Sequence, residues 1–266
     1  IALSTDTLIG PDDLPDQLHD DIDVLGPLAA AGSPPPAGAI VIGQHAVYVA
    51  PTAVIEPAVC FDVSAGPVLV GAGATVRAFT RLVGPCAIGP RSTILGARVA
   101  GCSIGEGSTI HGEISETIVL GQANKSHDGF VGHSYLGRWV NLGAGTITSN
   151  LKNTYGTVQL WTPGGVRDTG QVKLGTLFGD HVKTGIGTRL TTGSVVGAGS
   201  NVYGSRMPPK AVPPFSWGEG DALGVYQLDK FLETAGRAMG RRGVTLSEAS
   251  RRQLAAAYAL AAASRS

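Results

Sequence analysis

The side chains of this sequence best suited to chemistry lie in a polar segment between residues 113 and 150. Within it, the run Lys-Ser-His-Asp at 125–128 has no obvious structural duty. An imidazole has an ordinary pKa near neutrality, so His127 could exchange a proton at physiological pH. A surface histidine packed beside Phe130 is the alternative interpretation.

A repeat with a period of six residues predicts the elements that must hold these side chains. A period of six fits neither a helix nor a strand alone, but a short strand followed by a tight corner, with one side chain per hexad pointing inward. Glycine follows many repeat positions, where a small residue lets the backbone turn. Three main runs carry the repeat: Ile42, Tyr48, Val54 and Cys60; Val70, Val76, Leu82, Ile88 and Ile94; and Phe178, Thr184, Leu190, Val196 and Val202.

The repeat predicts an all-β fold in which three short sides close one triangular coil and successive coils stack. The pattern is typical of the left-handed parallel β-helix built from hexapeptide repeats. The 39 glycines and 16 prolines exclude a helical bundle, while an apolar fraction of 43% is enough for a packed core.

Breaks in the repeat predict the domain organisation. Residues 39–205 are expected to form the β-helix, interrupted at about 147–174 by a loop too long to be a mere connector. Residues 1–38, rich in aspartate, are expected to form an acidic arm or linker.

The C-terminal residues 206–266 are predicted to form a proline-rich extended strap and a helical tail of two helices. The first helix is expected from about Leu223 to Arg242. A capping box made by Thr245 and Glu248 predicts the start of the second, which should end near Ala263.

Charges balance overall, with 20 basic and 20 acidic residues, but not along the chain. Residues 1–76 hold nine acids and no base, so the remainder carries a formal charge of +9. A net charge of zero argues against nucleic-acid binding. No apolar run is long enough to span a bilayer, and the first residues do not resemble a signal peptide, so we expect a cytoplasmic protein without a membrane partner.

The three cysteines, Cys60, Cys86 and Cys102, are odd in number and lack Cys-x-x-Cys spacing. Neither a disulfide framework nor a structural zinc site is therefore predicted. We expect the cysteines to be small buried apolar residues, with Cys86 and Cys102 on adjacent coils.

The string NKSHDGFVGHSYLGRWVNLGAGTITSNLKNTYG at 124–156 carries a specific resemblance. It resembles the acetyltransferase half of the bifunctional N-acetylglucosamine-1-phosphate uridyltransferase/glucosamine-1-phosphate N-acetyltransferase family, in a divergent bacterial branch of sugar nucleotidyltransferases with a C-terminal β-helix. The likeness covers about 40–217 and continues into the tail. It implies a homotrimeric transferase of nucleotide-sugar and cell-wall biosynthesis that moves acetyl from acetyl-CoA to an amino sugar phosphate.

The resemblance also implies roles for single residues. His127 matches the general base toward the sugar amine, Glu113 the acid that orients this base, and Asn141 and Asn150 the amides that hold the sugar and the reacting amine. The residues that match the lining of the coenzyme groove between subunits are Gly143, Ala144, Gly185, Ile186 and Gly204.

Several positions depart from the family pattern. A tyrosine that contacts the sugar is Phe130 here, a phosphate-binding lysine is Gly156, and an arginine that contacts the coenzyme phosphate is Trp217. Basic residues that could contact the substrate phosphate, or could be solvated charges, are Arg98, Lys125 and Lys152. Glu113 has the alternative of a plain corner residue, and both asparagines could be turn residues that bond local backbone.

Two other functions fit the same fold. The departures from the family pattern favour a non-catalytic trimeric β-helix that serves as an assembly or regulatory domain of a sugar nucleotidyltransferase. Zinc-dependent hydration would need three convergent ligands. Because His127 and His133 are six residues apart, we expect them on successive sides of the prism, and we expect no metal.

Overall fold

The computed structural model describes residues 34–264, so the predicted acidic arm lies almost entirely outside the described residues. The described chain forms a parallel β-helix of about ten turns, followed by two helices. The predicted left-handed hexapeptide-repeat β-helix with a helical tail is confirmed. Within residues 34–264, no helix is long and apolar enough to cross a bilayer.

Short strands make up the sides of the coils. In chain order they are β1 (Ile40–Gly43), β2 (Val47–Val49), β3 (Val54–Ile55), β4 (Cys60–Val63), β5 (Val68–Val70), β6 (Thr75–Val76), β7 (Arg81–Val83), β8 (Cys86–Ile88), β9 (Thr93–Ile94), β10 (Arg98–Ile104), β11 (Thr109–Ile110), β12 (Glu113–Val119), β13 (Asn124–Lys125), β14 (Phe130–Gly132), β15 (Tyr135–Leu136), β16 (Ile147–Thr148), β17 (Gln159–Thr162), β18 (Gly165–Asp168), β19 (Thr176–Phe178), β20 (Lys183–Thr184), β21 (Arg189–Leu190), β22 (Ser194–Val196), β23 (Asn201–Val202), β24 (Ala211–Val212), β25 (Ser216–Glu219) and β26 (Ala222–Val225).

The strands stack in parallel into three faces of a prism. Face 1 contains β1, β4, β7, the first halves of β10 and β12, β14, β16 and β21. Face 2 contains β2, β5, β8, the second halves of β10 and β12, β15, β19, β22 and β24. Face 3 contains β3, β6, β9, β11, β13, β20, β23 and β25.

We name each of the three corners of the prism after one histidine that it holds. The His127 corner joins face 3 to face 1, the His133 corner joins face 1 to face 2, and the His181 corner joins face 2 to face 3. The His127 corner is formed by the turns at 95–97, 111–112, 126–129, 143–146 and 185–188. The His133 corner is formed by those at 84–85, 101, 116, 133 and 191–193. The His181 corner is formed by those at 105–108, 120–123, 137–140, 179–182 and 197–200.

The interior of the prism is a stack of apolar layers. The second and third predicted runs point inward, and residues such as Leu82 and Val196 are fully or almost fully buried. The first run is wrong by one residue, because the pairing of Phe61 with Leu82 puts Phe61 inside and leaves Cys60 half-buried on the outer side. In the same way Val49 replaces Tyr48 as the inward residue. The other positions of that run that lie outside the core are Ile42 and Val54.

The insertion begins later than predicted. Residues 147–148 still form a coil strand, which pairs with Arg189–Leu190, so the insertion leaves the coil only after them, at the His133 corner. It contains an antiparallel hairpin of β17 and β18. Val158, Leu160 and Leu174 form a small core that packs on outward residues of face 2, and the insertion therefore folds back over that face.

The C-terminal region also differs from the prediction. β24 and β25 continue the coils past residue 205, and β26 then pairs antiparallel with β25. The first helix, α1, therefore spans Leu228–Gly240 and does not begin at Leu223. The second, α2, spans Glu248–Ala263, and its N-cap is Ser247, whose hydroxyl accepts a hydrogen bond from the Ser250 amide, not Thr245.

The two helices pack against the His181 corner. His181 lies between Trp139, stacked at a centroid distance of 6.2 Å, and Phe231 of α1, edge-on at 5.8 Å. Beyond α1, the Arg242 guanidinium donates hydrogen bonds to the backbone carbonyl oxygens of Gly107 and Ala123. Buried aromatic contact and these bonds attach the tail to the middle coils.

The buried His181 makes stability depend on pH. Burial, aided by the nearby Lys183 ammonium, lowers the pKa of His181 from 6.5 to about 4. Between these values the unfolded chain binds more protons than the folded one, so stability should fall as the pH drops from about 6.5 to about 4, by roughly 3 kcal/mol.

Replacing His181 with phenylalanine should remove this share of the pH dependence. Urea unfolding at pH 7 and pH 4.5 would measure it, with exposed His45→Phe as the matched control. An equal loss of stability in wild type and His181→Phe between the two pH values would contradict the prediction.

Candidate functional site

An open cleft of about 600 Å³ lies at the His127 corner. It runs along successive coils, and the helices, which pack at the His181 corner, leave it open. Its lining residues are Leu95, His111, Ser126, His127, Asp128, Ala144, Gly145, Ile186 and Gly187.

His127 is exposed in a turn that is anchored from two sides. The Gly145 amide donates to the Asp128 carbonyl oxygen at 2.9 Å. From inside the prism, the Lys125 ammonium donates to the carbonyl oxygen of His127 and, at 3.4 Å, to that of His111. The backbone around the imidazole is therefore held while its side chain stays free to reach a ligand.

Lys125 is not the substrate contact that the sequence suggested. Its register partner on the preceding coil is Ile110, so the side chain points inward, and it is fully buried. Burial lowers its pKa to about 8, although the Asp128 carboxylate favours the charged form. Because the ammonium bonds backbone carbonyls inside the core, a substrate phosphate cannot reach it.

A second histidine of the cleft, His111, was missed as a site residue. Its Nδ1 bonds the Leu95 carbonyl oxygen, and its Nε2 lies 3.0 Å from Oδ1 of Asp128. Both ring nitrogens of His111 therefore have a partner within the cleft. The length of the coil could have indicated from the sequence that His111 lies near His127. Ile110 pairs with Lys125 on the next coil, and this register brings residue 111 beside residue 126.

Arg98, Glu113 and Phe130 form one outward column of face 1. The Glu113 carboxylate pairs with the Arg98 guanidinium at 3.3 Å, and both side chains are about half exposed. The prediction that Glu113 orients His127 therefore needs correction, because within the described residues this carboxylate pairs with Arg98 on the preceding coil. Phe130 folds its ring over Gly132.

The two predicted amides lie on different sides of the prism. Asn141 is on face 3, where its Oδ1 accepts a hydrogen bond from Asn124 at 3.0 Å. Asn150 is at the His133 corner, where its Nδ2 lies 2.9 Å from Nδ1 of His133. Asn150 is thus brought to Phe130 and His133, while Asn141 is not. His133 was considered only as a possible metal ligand.

Four of the five predicted coenzyme residues lie in two stacked turns of the His127 corner. Ala144 and Ile186 line the cleft, and Ile186 is 82% exposed. A Cβ on Gly143 would lie 2.6 Å from the Gly185 carbonyl carbon, so the close stacking of these coils requires glycine. Gly204 lies one turn further on, against Glu219.

Lys152 and Trp217 lie outside the cleft. The Lys152 ammonium donates to the Thr157 carbonyl oxygen at 2.9 Å, within the insertion. The Trp217 ring packs edge-on against Tyr203 and Tyr226. Among the residues at 34–264, no three His, Cys, Asp or Glu side chains converge as a metal ion would need.

Comparison with known proteins places this geometry in context. No protein-family model matches the chain. It is 33% identical over 91 residues to the bifunctional sugar-1-phosphate nucleotidylyltransferase/acetyltransferase of Sulfurisphaera tokodaii, covering 34% of this chain and 23% of the relative. It is 31% identical over 120 residues to the bifunctional protein GlmU of Methanococcus vannielii, covering 45% and 27%.

The chain is homologous to part of these bifunctional proteins. It spans about a quarter of the length of these curated relatives. Among solved structures, the Arabidopsis UDP-N-acetylglucosamine acyltransferase is 12% identical with a TM-score of 0.43, covering 75% of this chain and 76% of that one. The N-acyltransferase AntD of Bacillus cereus, solved with dTDP and 3-hydroxybutyryl-CoA, is 15% identical with a TM-score of 0.29, covering 77% and 93%.

Proposed function

We propose that the chain is an N-acetyltransferase that moves the acetyl group of acetyl-CoA to the amine of an amino sugar phosphate, with His127 as general base. The observation that carries the proposal is the exposed His127 imidazole in the cleft beside Ala144 and Ile186. Homology to bifunctional proteins named for an acetyltransferase activity supports the same reaction class.

The reaction requires one displacement and two proton transfers, one from the amine and one to the departing thiolate. The amine nitrogen attacks the thioester carbonyl carbon, so a C–N bond forms and the C–S bond breaks. His127 takes the proton that the amine loses, and coenzyme A leaves as a thiolate that is then protonated. The products are an N-acetyl sugar phosphate and free coenzyme A.

The corner residues are proposed to bind the coenzyme. Gly143, Ala144, Gly185 and Ile186 would hold its pantetheine arm along the stacked turns, with Gly204 further along. In a homotrimer, a neighbouring subunit would complete this open cleft. Acetyl-CoA of the cytoplasm would supply the acetyl group. On the adjacent face, Arg98 and Phe130 would contact the sugar phosphate.

Thiol release tests the proposal. The protein is incubated with acetyl-CoA and glucosamine 1-phosphate, free thiol is measured, and mass spectrometry identifies the acetylated product. N-acetylglucosamine 1-phosphate, which has no free amine, is the control acceptor. Light scattering after gel filtration measures the oligomeric state.

The non-catalytic assembly domain remains the second candidate, because Phe130 and Trp217 stand where the family has polar contacts. Calorimetry with coenzyme A separates the two functions. Absence of binding at millimolar ligand, together with absence of thiol release, would favour the assembly domain.

A further inference from the structure

A single carboxylate faces the cleft at the His127 corner. Of the lining residues, which all belong to the described part of the chain, only Asp128 carries one. Its side chain is 92% exposed, and it directly follows His127 in the same turn. The cleft therefore presents a negative charge next to the group that is proposed to take a proton, and the proposed function assigns no role to this charge.

The backbone of Asp128 is fixed by the next coil. Its carbonyl oxygen accepts a hydrogen bond from the Gly145 amide at 2.9 Å. The following residue, Gly129, has φ of +132°, and a Cβ at this position would lie 2.3 Å from the Thr146 carbonyl oxygen. Glycine allows the two turns to approach this closely. The turn that carries Asp128 is therefore held against the coil that forms the next part of the cleft.

The side chain of Asp128 is held by the preceding coil. Its Oδ1 lies 3.0 Å from Nε2 of His111, and Nδ1 of the same ring bonds the Leu95 carbonyl oxygen. His111 is the less exposed partner, with 31% of its side chain accessible. Because His111 is anchored at its other nitrogen, it fixes one oxygen of the carboxylate. The second oxygen of this exposed side chain stays available to a ligand in the cleft.

The charges near Asp128 leave its carboxylate free to attract a cation. The Lys125 ammonium lies inside the prism, where it bonds two backbone carbonyl oxygens. Asp128 favours the charged form of Lys125, but this ammonium is directed to the backbone and does not enter the cleft. On face 1, the Glu113 carboxylate pairs with the Arg98 guanidinium at 3.3 Å. A cationic ligand in the cleft therefore meets the carboxylate of Asp128.

We propose that Asp128, held in place by His111, binds the acceptor amine as an ammonium ion and so selects amine over hydroxyl acceptors. This inference rests on the proposed function and names the group that recognises its substrate. Near neutral pH an aliphatic amine is largely an ammonium ion. A hydrogen bond between an ammonium and a carboxylate is stronger than one from a neutral hydroxyl, because both partners are charged. Asp128 then determines specificity for nitrogen acceptors.

The bound ammonium loses two protons on the way to the product amide. It first gives one proton to water, which leaves the neutral amine beside His127. His127 takes the second proton as the C–N bond forms and the C–S bond breaks, and the coenzyme A thiolate is then protonated. Asp128 itself takes no proton. Because Asp128 stabilises the ground state and not the attack, it acts on acceptor binding.

Calorimetry with glucosamine 1-phosphate and glucose 1-phosphate, in which a hydroxyl replaces the amine, tests the inference without turnover. The full-length wild type should bind the amine ligand about fivefold more tightly or better. Asp128→Asn removes the charge and keeps the shape, so it should bring the two affinities to within about twofold. His111→Ala frees the carboxylate and should reduce the preference by a smaller factor. Asp229→Asn changes an exposed carboxylate of α1, and this matched control should keep the wild-type preference.

Turnover supplies a second readout that a merely structural role would not move. Asp128→Asn should raise KM for glucosamine 1-phosphate by about threefold to tenfold without lowering kcat, because it removes ground-state binding alone. An amine preference that is lost in Asp128→Asn, in a protein inactive in acetyl transfer, would keep the ammonium site and reject the proposed function. Equal binding of the two ligands by wild type, or a preference that survives in Asp128→Asn, would overturn the inference.

Discussion

Replacing His127 with alanine should lower kcat/KM for acetyl transfer by about 10²- to 10⁴-fold, the usual contribution of a positioned general base. Without the imidazole, the turn at 126–129 loses the group that is proposed to take the amine proton at the free edge of the cleft. The side chain is exposed, so its removal leaves no cavity, and the melting temperature should stay within a degree or so of wild type. Thiol release and circular dichroism measure the two quantities.

Two further histidines make this test specific. His45→Ala changes another exposed histidine, near the beginning of the β-helix, and should behave as wild type. His111→Ala removes the other imidazole of the cleft, whose two nitrogens are occupied by Leu95 and Asp128, and should reduce turnover much less than His127→Ala. Unchanged turnover in His127→Ala would reject the base, and a full loss in His111→Ala would assign the base to His111.

Replacing Lys125 with methionine should reduce kcat by between about tenfold and a hundredfold without lowering stability. The Lys125 ammonium binds the carbonyl oxygen of His127, so its loss frees the turn that carries the proposed base, and small displacements of catalytic groups have effects of this size. Methionine has a similar length and fills the same core space. It also avoids burying a charge, whose desolvation lowers the pKa of Lys125 to about 8.

The pH dependence of stability checks the same prediction independently. Between about pH 8 and 10.5, the unfolded chain keeps a proton on Lys125 that the folded chain has lost, so wild-type stability should rise across this range. The Lys125→Met variant should lack the part of this rise in stability that Lys125 contributes. The part contributed by Lys183, whose pKa burial also lowers to about 8, should remain. Ile110→Met, at the same core position one coil earlier, is the matched control and should retain wild-type kcat. A wild-type kcat in Lys125→Met would mean that turnover does not need the hydrogen bond from Lys125 to the His127 carbonyl oxygen.

The hexads predicted most of the core, because the second and third runs keep one inward register over consecutive coils. The first run failed where apolar residues occupy two adjacent positions, as at Cys60 and Phe61, so the period alone could not choose between them. The start of α1 was misplaced because Ala222–Val225 pairs antiparallel with β25. Pairing between distant segments decides such cases.

The candidate site could be predicted only where a single segment of the sequence carries the signal. His127 stands in a specific motif, and Ala144 and Ile186 follow at corner positions. The interactions of His133 with Asn150 and of Lys125 with His111 join different coils, and their register depends on coil lengths that vary along the chain. To predict that Lys125 points inward, the register would have to be followed coil by coil from Ile94 through Ile110 to residue 125.

The contact of the tail with the middle coils has a consequence for how the molecule unfolds. A solenoid held only by nearest neighbours can open from either end, one layer at a time. Arg242 bonds two coils at Gly107 and Ala123, while Phe231 reaches the turn at His181, so one segment spans layers that are otherwise only indirectly connected. We therefore expect the layers that carry the cleft to unfold as one cooperative unit, and we expect fraying to begin in the coils before them.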